Sequence, residues 1–385
     1  MSTGGASGAG EPRIAMRGAG YYSAHTTGAK TVIDKVGDLV VEAVARMPRL
    51  EPGWPFVIAD FGAADGGTSM DMMHRLVETI RKREPDREIS IVYTDLPHND
   101  FSTLFRLTQG LLGSAARAPL AQIPNLLIFG SGTSFYRQVV NTGALSFGFS
   151  ATAMHWLSRR PCMIADHVQA VGAAPAEREK FRAQAHQDWE VILLARAREL
   201  RTGGRLAFAN FCIDEAGRYL GHTTGADMFD CFARHWRDLH AAGRIGEAEY
   251  VNATFPQFYK TPEEFAAPFR DPESAVSKAG LKLEHVSTMT TPCPYADAFR
   301  VHGDAAAFAK SYVPTLRSWS ETVFAGALDS SRPAAERAAI LDAFYAAYEA
   351  EVAHAPEGHR MDYVHCVMEI SKVDGRQRPA GARAA

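Results

Sequence analysis

Several features that define common protein classes are missing from this 385-residue chain. It has no extended basic block, and its 41 basic and 44 acidic side chains leave a formal charge of −3, so the electrostatic footprint of a nucleic-acid-binding protein is absent. No apolar stretch reaches the roughly 18 residues of a membrane-spanning helix, and the N-terminus lacks the charged-then-apolar pattern of a signal peptide. These absences favour a cytoplasmic protein that binds small molecules, with neither nucleic acid nor membrane as a partner.

The cysteines exclude two further classes of protein. They are odd in number, scattered, and form no CxxC pair, which argues for a reducing compartment and against structural zinc. No metal site is predicted from them. The five positions are Cys162, Cys212, Cys231, Cys293 and Cys366.

The most informative stretch that is present is FVIADFGAADGG, at residues 56–67. Its apolar beginning is too short for an amphipathic helix and predicts a buried strand that ends at Asp60. A loop of small residues follows, and apolar residues then recur at helical spacing over 72–80, with Thr68 or Ser69 placed to cap the helix. Strand, glycine loop and helix together predict a nucleotide-type cradle.

The composition of this loop narrows the class of ligand. No lysine follows Gly66 or Gly67, so the loop is not a P-loop, and the spacing of Gly62, Gly66 and Gly67 is not the GxGxxG of dinucleotide-binding proteins. An acidic strand end beside a short glycine loop instead suits a positively charged ligand. S-adenosylmethionine, with its sulfonium and ammonium groups, fits; an ordinary strand-to-helix turn is the alternative.

A second carboxylate strengthens this prediction. The β-branched run 89–93 predicts the next strand, and Asp95 follows it where a ribose would be held, because two carboxylate oxygens can accept hydrogen bonds from both hydroxyls. A turn or helix-capping aspartate is the alternative for Asp95. Alternation of strands and helices along the chain predicts an α/β fold with a doubly wound, mostly parallel sheet and helical insertions. Other predicted strands are 125–129, 201–211 and 363–371, and other predicted helices are 31–47, 175–200 and 333–351.

His155 and Trp156 stand side by side in a polar and aromatic cluster. An indole N–H is a donor that cannot be deprotonated and has no acceptor lone pair, so a carboxylate is a good partner for it. Core packing is the alternative for Trp156.

Five motifs, in this order and spacing, resemble the SABATH methyltransferases over about residues 13–373. The resemblance implies a class I methyltransferase (Rossmann-like) fold with an α-helical cap over the active site, and S-adenosyl-L-methionine as methyl donor with S-adenosyl-L-homocysteine as product. It also implies methyl transfer to small-molecule carboxylic acids, or to xanthine-type nitrogens in some members, and a homodimer. The motifs are ADFGAADGG (59–67), TDLPHNDF (94–101), GTSFY (132–136), SATAMHWLS (150–158) and FPQFYKTPEEF (255–265).

The same resemblance assigns roles residue by residue. Trp156 matches the tryptophan that holds the acceptor carboxylate, and His155 is its neighbour in the pocket. The donor-binding positions are Tyr22, Thr26, Asp60, Gly62, Asp95, Leu96, Ser134, Phe135 and Ser150. The pocket walls, each of which also has an interpretation as core, are Met228, Phe229, Leu316, Trp319 and Tyr363.

Two positions depart from the family pattern. Where the family has a glutamine that pins the carboxylate, this chain has Ala29, and we hypothesise that the neighbouring Lys30 replaces the amide as a charged donor. Val251 and Thr254 occupy the places of the Asp and Asn metal ligands of some relatives, which argues against a magnesium requirement.

The mechanism that follows needs no general base. A carboxylic acid has a pKa of about 4 in solution, so the acceptor is already the nucleophilic carboxylate at neutral pH and only has to be aligned for in-line displacement. His155 is therefore interpreted as a shape and hydrogen-bonding element. The predicted product is the methyl ester of a small aromatic or apolar acid of the benzoate, salicylate or indole-acetate type. An N-methyltransferase of a small heterocycle and a non-catalytic donor-binding homologue are the alternatives.

The predicted organisation is a single methyltransferase domain over residues 14–373. A disordered leader, 1–13, precedes it, and a flexible tail, 374–385, follows it. The core sheet is predicted over about 50–211 with additional strands at about 280–290 and 363–371. The helical cap is predicted from about 212–280 and 295–355.

Overall fold

Seven β-strands form one sheet that carries helices on both faces. The structure is a computed structural model and describes residues 27–112 and 118–374. The strands are β1 (Phe56–Phe61), β2 (Ile89–Thr94), β3 (Leu126–Ser131), β4 (Leu145–Ala151), β5 (Leu200–Phe211), β6 (Leu281–Thr291) and β7 (Tyr363–Lys372). The α-helices are α1 (Thr27–Ala45), α2 (Met70–Arg83), α3 (Phe101–Thr108), α4 (Pro175–Glu199), α5 (Met228–Ala241), α6 (Glu247–Asn252), α7 (Pro262–Arg270), α8 (Ala275–Lys278), α9 (Pro294–His302), α10 (Ala305–Ala327) and α11 (Ala334–His354).

The strand order is β3-β2-β1-β4-β5-β7-β6. Strands β1 to β5 pair in parallel, whereas β7 is antiparallel to both of its neighbours. Since β1 lies between β2 and β4, the carboxyl ends of these three strands meet at one edge of the sheet, where open α/β folds bind ligands. The predicted doubly wound, mostly parallel α/β fold is confirmed.

Residues of β1 alternate between two hydrophobic cores. Ile58 packs into the core that contains α1 and α2, whereas Ala59 and Phe61 pack into the core that contains Trp189 of α4. All six residues of the strand are buried, which explains why β1 is continuously apolar rather than alternating in the sequence.

The helices α5, α10 and α11 pack together through an aromatic cluster. Phe324 of α10 lies between Trp236 and Phe344, with ring centroids 5.0 and 4.4 Å away. Phe232 joins the same cluster and lies 6.0 Å from Trp319. These helices form the cap that the sequence predicts, because Trp319 on its inner side lines the cavity described below.

The starts of two helices add detail to the sequence prediction. The first helix already includes Thr27, four residues before the predicted Thr31, and Gly28 allows it to lie against the ring of Tyr363: a Cβ on Gly28 would be 2.2 Å from that ring. Ser69 occupies the N-cap of α2 but makes no capping hydrogen bond. Its hydroxyl is used by Asp60 instead, as shown below.

The limits of the predicted domain stay a prediction, and the predicted leader lies outside the described residues, as does most of the predicted tail. Within residues 27–112 and 118–374, no helix is long and apolar enough to cross a membrane.

Candidate active site

The glycine loop after β1 makes a tight turn that depends on unusual backbone angles. Gly62 has a φ of 82°, and a Cβ there would be 2.4 Å from the Cβ of Ala153, so this close approach requires glycine. Ala64 has a φ of 49°, which is unusual for a residue with a side chain. Its N–H donates to Asp95 Oδ2 at 2.8 Å and its carbonyl accepts from Asn99 Nδ2 at 2.6 Å, so contacts on both sides stabilise the turn.

Asp60 is a buried carboxylate at the end of β1. Burial raises its pKa to about 7, the nearby Asp95 raises it further, and a hydrogen bond from Ser69 opposes the shift. That bond, from Ser69 Oγ to Oδ2, is 2.6 Å long. In the absence of a ligand the ionised carboxylate lacks sufficient compensation, so a cation bound here would be stabilised.

Asp95 follows β2 and is half-buried. Its Oδ1 accepts the N–H of Leu96 at 2.7 Å, and its Oδ2 accepts the N–H of Ala64. Burial raises its pKa and these two backbone hydrogen bonds lower it. Each carboxylate oxygen keeps further acceptor capacity, which two vicinal hydroxyls require. The structure therefore brings Asp60, Gly62, Asp95 and Leu96 together around one loop.

The other donor-side residues take different positions. Ser134 and Phe135 are half-buried in the loop after β3, which Thr94 Oγ1 anchors by donating to the Thr133 carbonyl at 2.8 Å. Ser150 is fully buried, and its hydroxyl donates to the Phe61 carbonyl at 2.7 Å, so it joins β4 to β1. Tyr22 and Thr26 lie outside the described residues.

A small, partly open cavity lies beside this edge, under the cap. Its wall carries aromatic rings, thioether and short aliphatic groups, with few polar atoms, as small-molecule sites typically do. Among the described residues that line it there is no Lys, Arg, Asp or Glu. The lining residues are Ala29, Thr152, His155, Trp156, Phe211, Leu220, Gln257, Tyr259, Trp319, Met361 and Tyr363.

Trp156 and Gln257 lie directly opposite each other in this wall. They form an antiparallel bridge flanked by two backbone hydrogen bonds, from Leu157 N to the Pro256 carbonyl at 2.7 Å and from Phe258 N to the His155 carbonyl at 3.1 Å. Residues opposed in this way point their side chains to the same side at the closest cross-strand separation. The indole and the primary amide are therefore adjacent donors.

Both side chains keep an N–H group that can donate to a ligand. The indole N–H of Trp156 and the amide nitrogen of Gln257 donate to no described residue. Gln257 Oε1 accepts from the hydroxyl of Tyr259 at 3.3 Å, which fixes the carbonyl end of the amide and leaves its NH₂ end for a ligand.

His155 lies beside this pair as a neutral ring. Burial lowers its pKa to about 3, and the nearby His365 lowers it further. Its ring packs edge-on against Phe211, with centroids 4.8 Å apart, and its Nδ1 has no hydrogen-bond partner among the described residues. At neutral pH this side chain is uncharged and is a weak base.

Hydrogen bonds of Tyr136 and Asp188 connect the loop after β3 to the segment that carries Trp156. The hydroxyl of Tyr136, which follows Phe135, donates to the Trp156 carbonyl at 2.5 Å. Asp188 of α4 accepts from Ser158 N at 2.8 Å and from Ser158 Oγ at 2.7 Å. The backbone around Trp156 is thus held from both ends.

The structure separates the predicted wall residues into two groups. Trp319 and Tyr363 line the cavity, whereas Met228, Phe229 and Leu316 are core residues that are not among the lining side chains. Phe229 lies behind the wall, with its ring centroid 6.2 Å from Trp319 and 6.1 Å from Tyr259.

Lys30 is directed to two carboxylates. Its Nζ lies 2.9 Å from Asp34 and 2.7 Å from Asp71, and it is not among the residues that line the cavity, although Ala29 is. The hypothesis that Lys30 replaces the family's glutamine therefore lacks supporting geometry and stays a prediction.

Sequence reasoning missed most of the cavity wall, including Gln257, Thr152 and Met361. The FPQFYK segment carries the only signal for Gln257 and Tyr259, and that signal identifies the motif without showing which side chains face inward. In the neighbouring loop, Thr254 is buried and its hydroxyl donates to the Val251 carbonyl at 3.1 Å, so this loop holds its own backbone.

A family model described as SAM-dependent carboxyl methyltransferase matches residues 14–373. The chain is 27% identical over 265 residues to a loganic acid O-methyltransferase of Catharanthus roseus, a match that covers 63% of this chain and 67% of that protein. It is 27% identical over 233 residues to an indole-3-acetate O-methyltransferase of Arabidopsis thaliana, covering 55% of this chain and 59% of that protein. The matches thus span about three fifths to two thirds of these relatives.

A solved structure of a loganic acid methyltransferase with SAH has the same fold. It aligns with a TM-score of 0.72 at 20% identity and covers 95% of this chain and 100% of that one.

Proposed function

Because the chain belongs to the family of SAM-dependent carboxyl methyltransferases, we propose that it methylates the carboxylate of a small aromatic or apolar acid. The acceptor is of the benzoate, salicylate or indole-acetate type. The observation that carries this proposal is the adjacent pair of neutral donors, Trp156 and Gln257, in a cavity whose described lining residues carry no charge.

The edge of the sheet fits the donor S-adenosyl-L-methionine. The strand turns into a short loop at Gly62, Asp60 suits a cationic group, and Asp95 offers acceptors for a ribose. When bound, this donor supplies an electrophilic methyl group on a positively charged sulfur.

Trp156 and Gln257 hold the acceptor carboxylate. Each contributes one N–H, and two donors on adjacent positions fix the orientation of a planar carboxylate as well as its position. Alignment of this kind is the main task, since the reaction needs one carboxylate oxygen at about 3 Å from the methyl carbon and in line with the sulfur.

The absence of a cation among the described lining residues favours the reaction. The negative charge of the carboxylate fades as the ester forms, so a fixed Lys or Arg would stabilise the ground state more than the transition state. Neutral N–H donors orient the carboxylate and stabilise its charged ground state less than a Lys or Arg would. The ion pairs of Lys30 with Asp34 and Asp71 keep its charge engaged elsewhere.

No residue acts as general base. The acceptor is ionised at neutral pH, and His155, with its pKa lowered to about 3 by burial, would be a poor proton acceptor. His155 instead shapes the cavity together with Phe211.

The lining of the cavity supports a ring-bearing acid. The rings of Phe211, Tyr259, Trp319 and Tyr363 offer faces for a planar acceptor.

A second candidate is methylation of a ring nitrogen of a small heterocycle. Ala29 favours it, because the family's carboxylate-pinning glutamine is missing there, and the amide of Gln257 can both donate to and accept from a ring. The family resemblance further supports a homodimer, which light scattering of the purified protein would test, and the scattered cysteines support a cytoplasmic location.

A methyl-transfer panel tests the function. The purified protein is incubated with methyl-labelled donor and with benzoate, salicylate, indole-3-acetate, benzamide, indole-3-acetamide and xanthine. We expect label in the methyl esters of one or more acids and none in the matched amides, which have the same rings without the carboxylate. Label in xanthine alone would favour the second candidate.

Donor binding is measured in parallel by calorimetry. Donor binding without methyl transfer to any acceptor would indicate the non-catalytic alternative, and lack of donor binding would overturn the whole assignment.

A further inference from the structure

Behind the acceptor cavity, three segments of the cap bring metal-ligating side chains together. Cys231 lies on α5, Glu351 on α11, and His359 between α11 and β7, and their ligand atoms all lie within 4.8 Å of one another. Cys231 Sγ is 3.9 Å and His359 Nε2 is 3.6 Å from Glu351 Oε1. Ligands bonded to one tetrahedral zinc ion at 2.0–2.3 Å are about 3.3–3.8 Å apart, so these separations need little adjustment.

His235 lies beside this cluster without belonging to it. It follows Cys231 by one turn of α5, it is 8% exposed, and its Nε2 lies 2.7 Å from Glu351 Oε2. This imidazole therefore borders the second oxygen of the carboxylate and helps to hold it in place.

We propose that Cys231, Glu351 and His359 form a zinc-binding site, with solvent as the fourth ligand. Mixed thiolate, imidazole and carboxylate ligands suit Zn²⁺ better than Mg²⁺ or Ca²⁺, which prefer oxygen ligands alone. Binding breaks the S–H bond of Cys231, forms a Zn–S bond and releases the proton to solvent. Arg234 also lies at this cluster: its Nη2 is 2.7 Å from Glu351 Oε1, and its guanidinium contacts the Cys231 thiol.

The protonation states agree with this assignment. Burial lowers the pKa of His359, so this ring is neutral and able to ligate at pH 7. Burial raises the pKa of the Cys231 thiol to about 11, so the thiol is protonated until a metal displaces the proton. The lack of a CxxC pair does not exclude zinc here, because the ligands come from distant parts of the sequence.

The site would brace the wall of the acceptor cavity. Zinc would join α5 and α11 to the segment that leads into β7, and Met361, two residues after His359, lines the cavity. This role is independent of the chemistry of methyl transfer.

Metal titration of the full-length protein tests the site. After removal of metals with a chelator under reducing conditions, Zn²⁺ is titrated against a chromophoric chelator. We expect one Zn²⁺ per chain, bound at least about tenfold more weakly by Cys231→Ser and by His359→Gln. Cys162→Ser, which changes a half-buried cysteine elsewhere, is the matched control and should bind like the parent protein.

Co²⁺ substitution needs no variant of the parent protein and covers the case in which a variant fails to fold. The parent protein should show the absorption of tetrahedral Co²⁺ with a thiolate charge-transfer band. Absence of that band, absence of Zn²⁺ binding, or equal binding by folded Cys231→Ser would each overturn the proposal. Because none of these readouts involves methyl transfer, the result is separate from that of the acceptor panel.

Discussion

The two halves of the active site are built in different ways. The donor edge comes from short stretches of sequence, since Asp60 lies at the end of β1, Gly62 and Ser69 follow that strand, and Asp95 and Leu96 follow β2. The acceptor cavity is lined by side chains from distant parts of the chain. They come from helices α1 and α10, from strands β5 and β7, and from the segments after β4 and before α7. The first is a local strand-to-helix device, and the second exists only once distant segments have packed.

The two halves also differ in charge. Two carboxylates lie at the donor edge, and burial raises the pKa of both. The acceptor wall has no charged side chain among its described residues, and burial keeps His155 neutral. In the proposed function, this difference lets the donor half recognise a cation and the acceptor half orient a carboxylate with neutral donors.

Replacing Trp156 should produce the largest effect and should be confined to the acceptor half. Trp156→Ala removes an N–H donor and part of the wall, so we expect kcat/KM to fall at least about 100-fold, with the dissociation constant of the donor unchanged. Steady-state kinetics with the best acceptor, together with calorimetry of donor binding, measures both.

Trp54 supplies the matched control, because it is 63% exposed and is not among the residues that line the cavity. Trp54→Ala should keep the parent activity. Normal turnover in Trp156→Ala would remove the indole from the mechanism, and an equal loss of donor affinity would contradict the division into two halves.

Replacing Gln257 should produce the next largest effect. Gln257→Leu removes a hydrogen bond to a charged group, worth about 1.5–2 kcal/mol, so kcat/KM should fall about 10- to 30-fold. Ala29→Gln, which adds an amide at another position of the same wall, should recover part of this loss in the Gln257→Leu background. Kinetics of the two single variants and the double variant measure the coupling between the positions.

The exposed Gln187 gives a control for the loss of an amide, and Gln187→Leu should behave like the parent protein. If Gln257→Leu keeps full kcat/KM, the acceptor carboxylate is held without this amide.

The donor half should show the smallest effect, as a dependence of donor affinity on pH. The pKa of Asp60 is raised to about 7 in the absence of ligand, so this carboxyl is mostly protonated below pH 7. A cationic donor favours the ionised form and binding releases a proton, so affinity should rise by up to about tenfold per pH unit below pH 7 and level off above it. Calorimetry between pH 5.5 and 8 measures this slope.

Asp60→Asn should bind the donor weakly and without the slope, whereas Asp86→Asn, at an exposed position, should keep it. At saturating donor, kcat should stay flat between about pH 6 and 9, because His155 with a pKa of about 3 does not titrate there. A slope that persists in Asp60→Asn would assign the titration to another group.

Local patterns were sufficient to predict part of the site. The strand and glycine loop around Asp60 and Gly62 were predicted correctly, because an apolar run followed by small residues has few other conformations. Ser69 lies at the predicted cap position, but its hydroxyl donates to the buried carboxylate of Asp60 and makes no hydrogen bond to the helix end. The sequence around Ser69 does not show whether its hydroxyl bonds to the helix end or to Asp60.

Wall positions were predicted with less success. Trp319 and Tyr363 line the cavity, but Met228, Phe229 and Leu316 do not, because an apolar side chain in a cap helix satisfies a core and a pocket equally well. Gln257 was missed for the converse reason. A glutamine in a loop carries no sign of burial until its backbone pairs with Trp156.

The sequence by itself determined the order of strands and helices, the acidic donor edge and the family, because these depend on residues close together in the chain. Tertiary structure alone decided which side chains enclose the acceptor, that Lys30 turns to Asp34 and Asp71, and that Cys231, Glu351 and His359 meet. The physical reason is that these outcomes depend on the packing of the cap against the sheet, which joins segments that no local spacing relates.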